Sequence, residues 1–137
     1  MRFVSDLMTK QVFTLRASDS LQDAEQLMGE KKIRHIPIID DLGRVVGLLS
    51  QREVLTEAFR IIDKFGAQNL RSYLAKTPIE NSMNTDFTPF AGNLTIKEAA
   101  ETLLRQRLGC MVIVNEAQEL QGIVSSQDFV RLSIDLL

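Results

Sequence analysis

Two stretches place a hydroxyl and a carboxylate three residues apart just behind a short apolar run. They are Ser50-Gln51-Arg52-Glu53 after Val45-Val46-Gly47-Leu48-Leu49, and Ser125-Ser126-Gln127-Asp128 after Leu120-Gln121-Gly122-Ile123-Val124. A Ser followed three residues later by an acid marks a helix start, because hydroxyl and carboxylate each satisfy a backbone amide that the first turn leaves free. The first stretch is a capping box and the second its near equivalent. Each has a purely structural use, worth roughly 0.5–2 kcal/mol, beside any use toward a ligand. The other chemistry-bearing side chains are few. His35 is the only histidine and Cys110 the only cysteine. A nucleophile–base pair would need that imidazole to orient a Ser or Cys. One His and one Cys do not make a conventional structural zinc site, and a lone Cys excludes an intramolecular disulfide. Gly47 and Gly122 lie in no glycine-rich run, so they read as close backbone approaches or bulges rather than as a phosphate-cradling loop.

The elements that must carry these residues belong to a small chain. Its 137 residues make one domain or two very small ones. With 45% hydrophobic and 25% charged residues the composition is that of a globular protein. The net charge of −2 gives no basic field for a nucleic-acid backbone, so no nucleic-acid partner is expected. No apolar run approaches the roughly 20 residues that a membrane-spanning helix needs, and no membrane partner is expected. Met1-Arg2-Phe3-Val4-Ser5-Asp6 lacks the basic-then-apolar form of a signal peptide, which makes a cytoplasmic location the expectation.

The chain is written twice. A shift of 75 positions carries Ser50 onto Ser125, Met8 onto Met83, Ala24 onto Ala99, Ile38 onto Ile113 and Gly47 onto Gly122, without a gap between 4–62 and 79–137. Identities are few, and the shared apolar pattern carries the repeat. Each copy predicts a short strand (Val12–Leu15, Phe87–Phe90), with Pro89 confining the second to an edge or strand end. A helix follows, opened by Ser20–Asp23 or by the capping box Thr95–Glu98. Next come a compact strand (Ile36–Ile39, Met111–Val114), a polar turn, a second strand (44–49, 119–124), and a last helix from Ser50 or Ser125. Residues 1–55 then form the first repeat, 56–78 a helical connection with an end at Gly66 and a short helix over Asn69–Lys76, and 79–137 the second repeat. A unit of about 50 residues is marginal alone, so two copies packed sheet to sheet are expected to complete each other. Met8 and Met83 read as core plugs, and His35 and Cys110, which fall on equivalent positions, read as wall residues at a strand start.

The ordered set, occurring twice, resembles the tandem cystathionine-β-synthase (CBS) domain pair, or Bateman module. The resemblance rests on Val4-Ser5-Asp6-Leu7-Met8-Thr9, His35-Ile36-Pro37-Ile38-Ile39-Asp40 and Gly47-Leu48-Leu49-Ser50 in the first copy. In the second it rests on Ile79-Glu80-Asn81-Ser82-Met83, Met111-Val112-Ile113-Val114-Asn115 and Gly122-Ile123-Val124-Ser125. It implies an α/β (α+β) fold of two β-α-β-β-α repeats about a pseudo-two-fold axis, with two clefts between their sheets. It also implies a homodimer and a regulatory rather than catalytic role toward an as yet unknown regulated protein. No cofactor is required. AMP, ADP, ATP or S-adenosylmethionine is the implied regulatory ligand.

The family's ligand motif (Gly, two apolar residues, Ser or Thr, two variable residues, Asp) is met by Gly122 to Asp128, where an acid in the first helical turn can accept both ribose hydroxyls. The resemblance adds Gly109, Cys110 and Met111 to Ser125 and Asp128, together with Val12, Phe13 and Thr14 from the strand that opens the other copy. The corresponding second cleft comprises Ser50, Glu53, Arg34, His35, Ile36, Phe87 and Thr88. It is the weaker of the two, because Glu53 stands where Asp is expected and is long enough to fold back onto its own cap. Arg34 is its phosphate partner. Gly109 takes the equivalent place in the other copy, so the Asp128 cleft is expected to lack that cation. The alternative is a ligand-free dimerisation module in which all of these caps are structural.

Overall fold

A computed structural model describes all residues 1–137. In chain order the elements are α1 (Val4–Leu7), α2 (Leu21–Lys31), β1 (His35–Ile39), β2 (Val45–Ser50), α3 (Gln51–Phe65), α4 (Leu70–Lys76), β3 (Phe90–Ala91), α5 (Ile96–Gln106), β4 (Cys110–Val114), β5 (Leu120–Ser125) and α6 (Ser126–Leu136). No helix is long and apolar enough to cross a membrane. The fold is mixed α/β with two repeating units, each built on a small sheet: the hairpin β1–β2, and β3–β4–β5.

The helices start where their side chains dictate. Ser20 Oγ accepts the Asp23 N–H and the Asp23 carboxylate accepts the Ser20 N–H, both at 3.1 Å. Thr95 and Glu98 form the same reciprocal pair at 3.1 Å. Both helices end on a left-handed residue, Lys32 and Arg107, each at φ 54°. The apolar stripe of α2 buries Leu21, Ala24 and Met28, and that of α5 buries Ala99 and Leu103. Each hairpin carries a bulge at the same place, between Ile38 and Ile39 and between Ile113 and Val114. Gly47 and Gly122 lie opposite Ile38 and Ile113 beside those bulges. A Cβ at Gly47 would stand 2.9 Å from Met83 Cγ, and one at Gly122 2.7 Å from Met8 Cγ. The glycines thus admit the two methionines, which pack against the two cores.

The repeats of the sequence are not the compact units of the fold. One unit consists of Met1–Val12 with Thr88–Leu137, and the other of Phe13–Phe87. Each repeat sends its opening segment to the other's unit, and the hydrogen bonds correspond pair by pair. Thr9 bridges Ile123 through N–H···O bonds of 2.9 and 3.0 Å, as Asn84 bridges Leu48 through bonds of 2.8 and 2.9 Å. Val4 N–H donates to Leu94 O at 2.8 Å and Ile79 N–H donates to Asp19 O, also at 2.8 Å. The first core gathers Val4, Ala99, Met111, Ile113 and Val124. The second gathers Leu21, Ile36, Ile38, Leu49, Ile61 and Ile79, with Leu74 of the connection.

Two expected elements differ. Val12–Leu15 is not a ladder strand: Leu15 alone bridges Ile38, accepting from Ile39 N–H at 3.1 Å and donating to Pro37 O at 3.4 Å. The next bond back along that parallel pair would need an N–H on Pro37, which proline lacks. Of Phe87–Phe90 only Phe90 enters the ladder, running on with Ala91 parallel to Ile113 and Val114. The helical reading of the connection up to Gly66 agrees with the structure, where α3, the last helix of the first repeat, runs past residue 55 to Phe65. It ends at Gly66 (φ 88°), whose N–H donates to Ile62 O at 2.9 Å. Beyond it α4 follows, with the Phe65 and Tyr73 rings stacked 4.0 Å apart.

Candidate functional site

In the unit holding residues 88–137, antiparallel pairing sets Cys110, the first residue of β4, across from Ser125, the last of β5. The chain passes from β5 straight into α6, with Ser125 as its N-cap residue. Asp128, at the third helical position, is only 8% exposed. Its Oδ2 accepts the Ser125 N–H at 2.8 Å, and its Oδ1 accepts from the Arg131 guanidinium at 2.8 Å. Arg131 itself is largely exposed. A buried carboxylate is thereby held by two donors at a helix start, where the helix dipole also favours negative charge. Gly109 lies exposed just ahead of β4, Cys110 and Met111 are buried, Val12 is half-buried and Thr88 exposed.

The cation beside Asp128 is Arg131. Gly109 leaves none on the strand, but the helix supplies one a turn beyond the acid. An acid followed by a base three residues later on one helix face was a legible signal.

In the unit Phe13–Phe87, His35 lies across from Ser50, the N-cap residue of α3. Glu53 folds back as expected. Its Oε2 accepts the Ser50 N–H at 3.1 Å and also the Ser50 hydroxyl. Asp128 folds back in the same way, so capping does not set the two acids apart; their second partners do. Arg34 is exposed and in no ion pair, and its carbonyl accepts the Gln51 N–H at 2.8 Å. Ile36 is buried. Phe13 is 43% exposed with Lys31 Nζ 5.2 Å from its ring centroid, and Thr14 and Phe87 are half-buried. Phe13 and Thr14 thus belong to the compact unit that carries Glu53, and Val12 to the one that carries Asp128.

The two strand-start residues behave as wall residues. Burial pushes the Cys110 thiol up to about 12, which keeps it protonated and removes it as a nucleophile. Burial and, less strongly, Arg34 lower the His35 pKa, while Glu53 opposes them. His35 is therefore neutral at pH 7.

Paired hairpin-and-helix units, each with an acid-capped helix rising from the hairpin's second strand, define a duplicated α/β fold. The chain belongs to the CBS domain family, whose model matches it twice, at residues 4–60 and 79–135. Among solved structures it is similar to a Vibrio cholerae protein provisionally assigned to acetoin utilization (AcuB). That likeness is 33% identity over 98% of this chain and 92% of the other, with TM-score 0.84. It is also similar to CBSX2, of Arabidopsis thaliana, crystallised in complex with AMP. There the identity is 25% over 99% of this chain and 98% of the other, with TM-score 0.82. A homoserine O-acetyltransferase of Methanococcoides burtonii is 29% identical over 94% of this chain, which spans only 24% of that protein's length.

Proposed function

We propose that this chain is a regulatory CBS pair, a sensor rather than a catalyst, that takes an adenine nucleotide or adenosyl ligand at Asp128. AMP, ADP, ATP and S-adenosylmethionine are the candidates. The observation that carries the reading is the buried Asp128 carboxylate held between the α6 cap and the largely exposed Arg131. A ribose hydroxyl pair can donate to Oδ1 in place of Arg131. The released guanidinium, exposed and with two or more donors free, can then grip a phosphate. Ser125, at the cap, and the first amides of α6 offer further donors to an anion. Gly109, exposed and without a side chain, offers its backbone to a flat base beside the buried Cys110 and Met111. CBSX2 in complex with AMP supports the ligand class. Arg34, Ser50 and Glu53, beside His35 and Ile36, form the weaker second candidate. Binding acts on a homodimer and its regulated protein only through unequal affinity for two arrangements.

Calorimetric titration with AMP, ATP and S-adenosylmethionine is the test. Asp128→Ala is expected to weaken the ligand at least tenfold while the circular dichroism spectrum is retained; undiminished affinity removes Asp128 from the site. One observation favours the ligand-free dimerisation reading: both acids already satisfy their own caps. A ligand that binds only the folded state must raise the melting temperature. No rise with any of these compounds at millimolar concentration selects that alternative.

A further inference from the structure

The five methionines of the chain fall into three settings. Met1 is 74% exposed and belongs to neither core, while Met28 and Met111 are buried. Met8 and Met83 alone are half-buried, and the residue after each, Thr9 or Asn84, is exposed. Their thioethers also hold a particular place. Of the atoms that would meet a Cβ added at Gly122, the Met8 sulfur is the nearest. At Gly47 the nearest is the Met83 sulfur, at 2.5 Å, with Cγ and Cε farther off at 2.9 and 3.2 Å. The sulfur is thus the atom laid against each hairpin. The bonds that tie the opening segments down lie one residue away on both sides. Thr9, after Met8, exchanges two backbone bonds with Ile123, after Gly122; Asn84, after Met83, does the same with Leu48, after Gly47.

We propose that Met8 and Met83 are modification sites, at which oxidation by hydrogen peroxide loosens the two opening segments from the hairpins they close. Peroxide passes one oxygen to the thioether. An S–O bond forms as the O–O bond breaks, the sulfur gives up two electrons, and the remaining oxygen leaves as water. A flexible apolar side chain becomes a polar, chiral one. A sulfoxide oxygen aimed at the glycine has no room there, and one turned toward water draws the side chain out of the apolar contacts it makes with its core. Methionine sulfoxide reductases, one for each epimer, return the thioether, so the loosening is reversible. Cys110 does not compete, because its buried thiol stays protonated. The inference rests on neither the nucleotide nor the homodimer reading.

Peptide mass mapping and amide hydrogen exchange on the full chain, before and after hydrogen peroxide, test it. One added oxygen is expected at Met8 and at Met83 before any at Met28 or Met111. The amides of Thr9, Ile123, Leu48 and Asn84 are then expected to exchange about tenfold faster, as local opening predicts, and to regain protection after treatment with both reductases. Met8 and Met83 left unmodified while Met1 is oxidised overturns the proposal. So do sulfoxides at both positions with unchanged exchange, and protection that the reductases fail to restore. Met8→Leu combined with Met83→Leu keeps the volume nearly constant and offers no thioether. That variant is expected to keep its protected amides in peroxide, and their loss there overturns the proposal; should it not fold, the reductase arm on the unaltered chain decides.

Discussion

The two helix starts that follow the hairpins answer one question with different side chains. At the head of α3, Glu53 spends a single oxygen on both the amide and the hydroxyl of Ser50. At the head of α6, the shorter Asp128 divides its oxygens, one to the Ser125 amide and one to Arg131. Thr56 stands where the second repeat has Arg131, so the first repeat has no helix cation at that turn. One methylene and one guanidinium separate a self-contained cap from a carboxylate with a second, charged partner. The same fold thus supports two chemically unequal positions, and the inequality is set within a single turn of helix.

The sharpest way to break this comparison lies behind the hairpins. Behind Gly122 the Thr9 carbonyl stands 2.9 Å from an added Cβ, beside atoms of Met8, whereas the three nearest atoms behind Gly47 all belong to the flexible Met83 side chain. Overpacking costs about 1–3 kcal/mol. Gly122→Ala is expected near the top of that range and Gly47→Ala near the bottom, read as shifts of the urea midpoint. Equal losses would mean that the methionine and not the backbone sets the cost. Next in size are the caps. Asp128→Ala is expected to cost about 2 kcal/mol and Glu53→Ala about 1 kcal/mol, within the range known for helix caps. The Asp128 variant also strands Arg131, and a reversed order in chemical denaturation would refute the division of roles drawn above.

The smallest effect is a pH dependence confined to one unit. Folding depresses the His35 pKa below its ordinary 6.5. The unfolded chain therefore takes up that proton first. The corresponding stability is fully present above about pH 6.5 and is lost as pH falls from there through the folded-state pKa. Cys110, in the equivalent place, gains no proton over that range. His35→Gln is expected to flatten the stability profile between pH 7 and 5 relative to the unaltered chain, as followed by thermal melts. An unchanged slope would assign the acid sensitivity to other groups.

Much of this architecture was legible because its signals are local. The capping pairs at Ser20, Thr95, Ser50 and Ser125 announce their helices within four residues, and Gly66 marks a helix end through its positive φ. The offset of 75 positions links each hairpin and bulge of one repeat, and Met8, to its counterpart in the other. What escaped is non-local. No pattern in Val4 to Thr9 says that these residues pair with the second repeat's hairpin rather than their own, because both hairpins present nearly the same edge. The strand expected over Val12–Leu15 failed for a reason written elsewhere in the chain, at Pro37. Of the candidate site, the Ser125–Asp128 pair was legible from its spacing. Arg131 escapes the comparison of Arg34 with Gly109, because it lies on the helix a turn beyond the acid and not at the strand start.

The reciprocal loan of opening segments reaches beyond this molecule. A gene encoding one such repeat would yield a chain with an unfilled groove beside its hairpin and a loose leader with nowhere of its own to dock. Two such chains could mend each other only by trading leaders, an obligate handshake between separate polypeptides. Fusing two copies end to end makes that handshake intramolecular, independent of protein concentration. It also lets the two halves differ in sequence, as they do at Asp128 and Glu53.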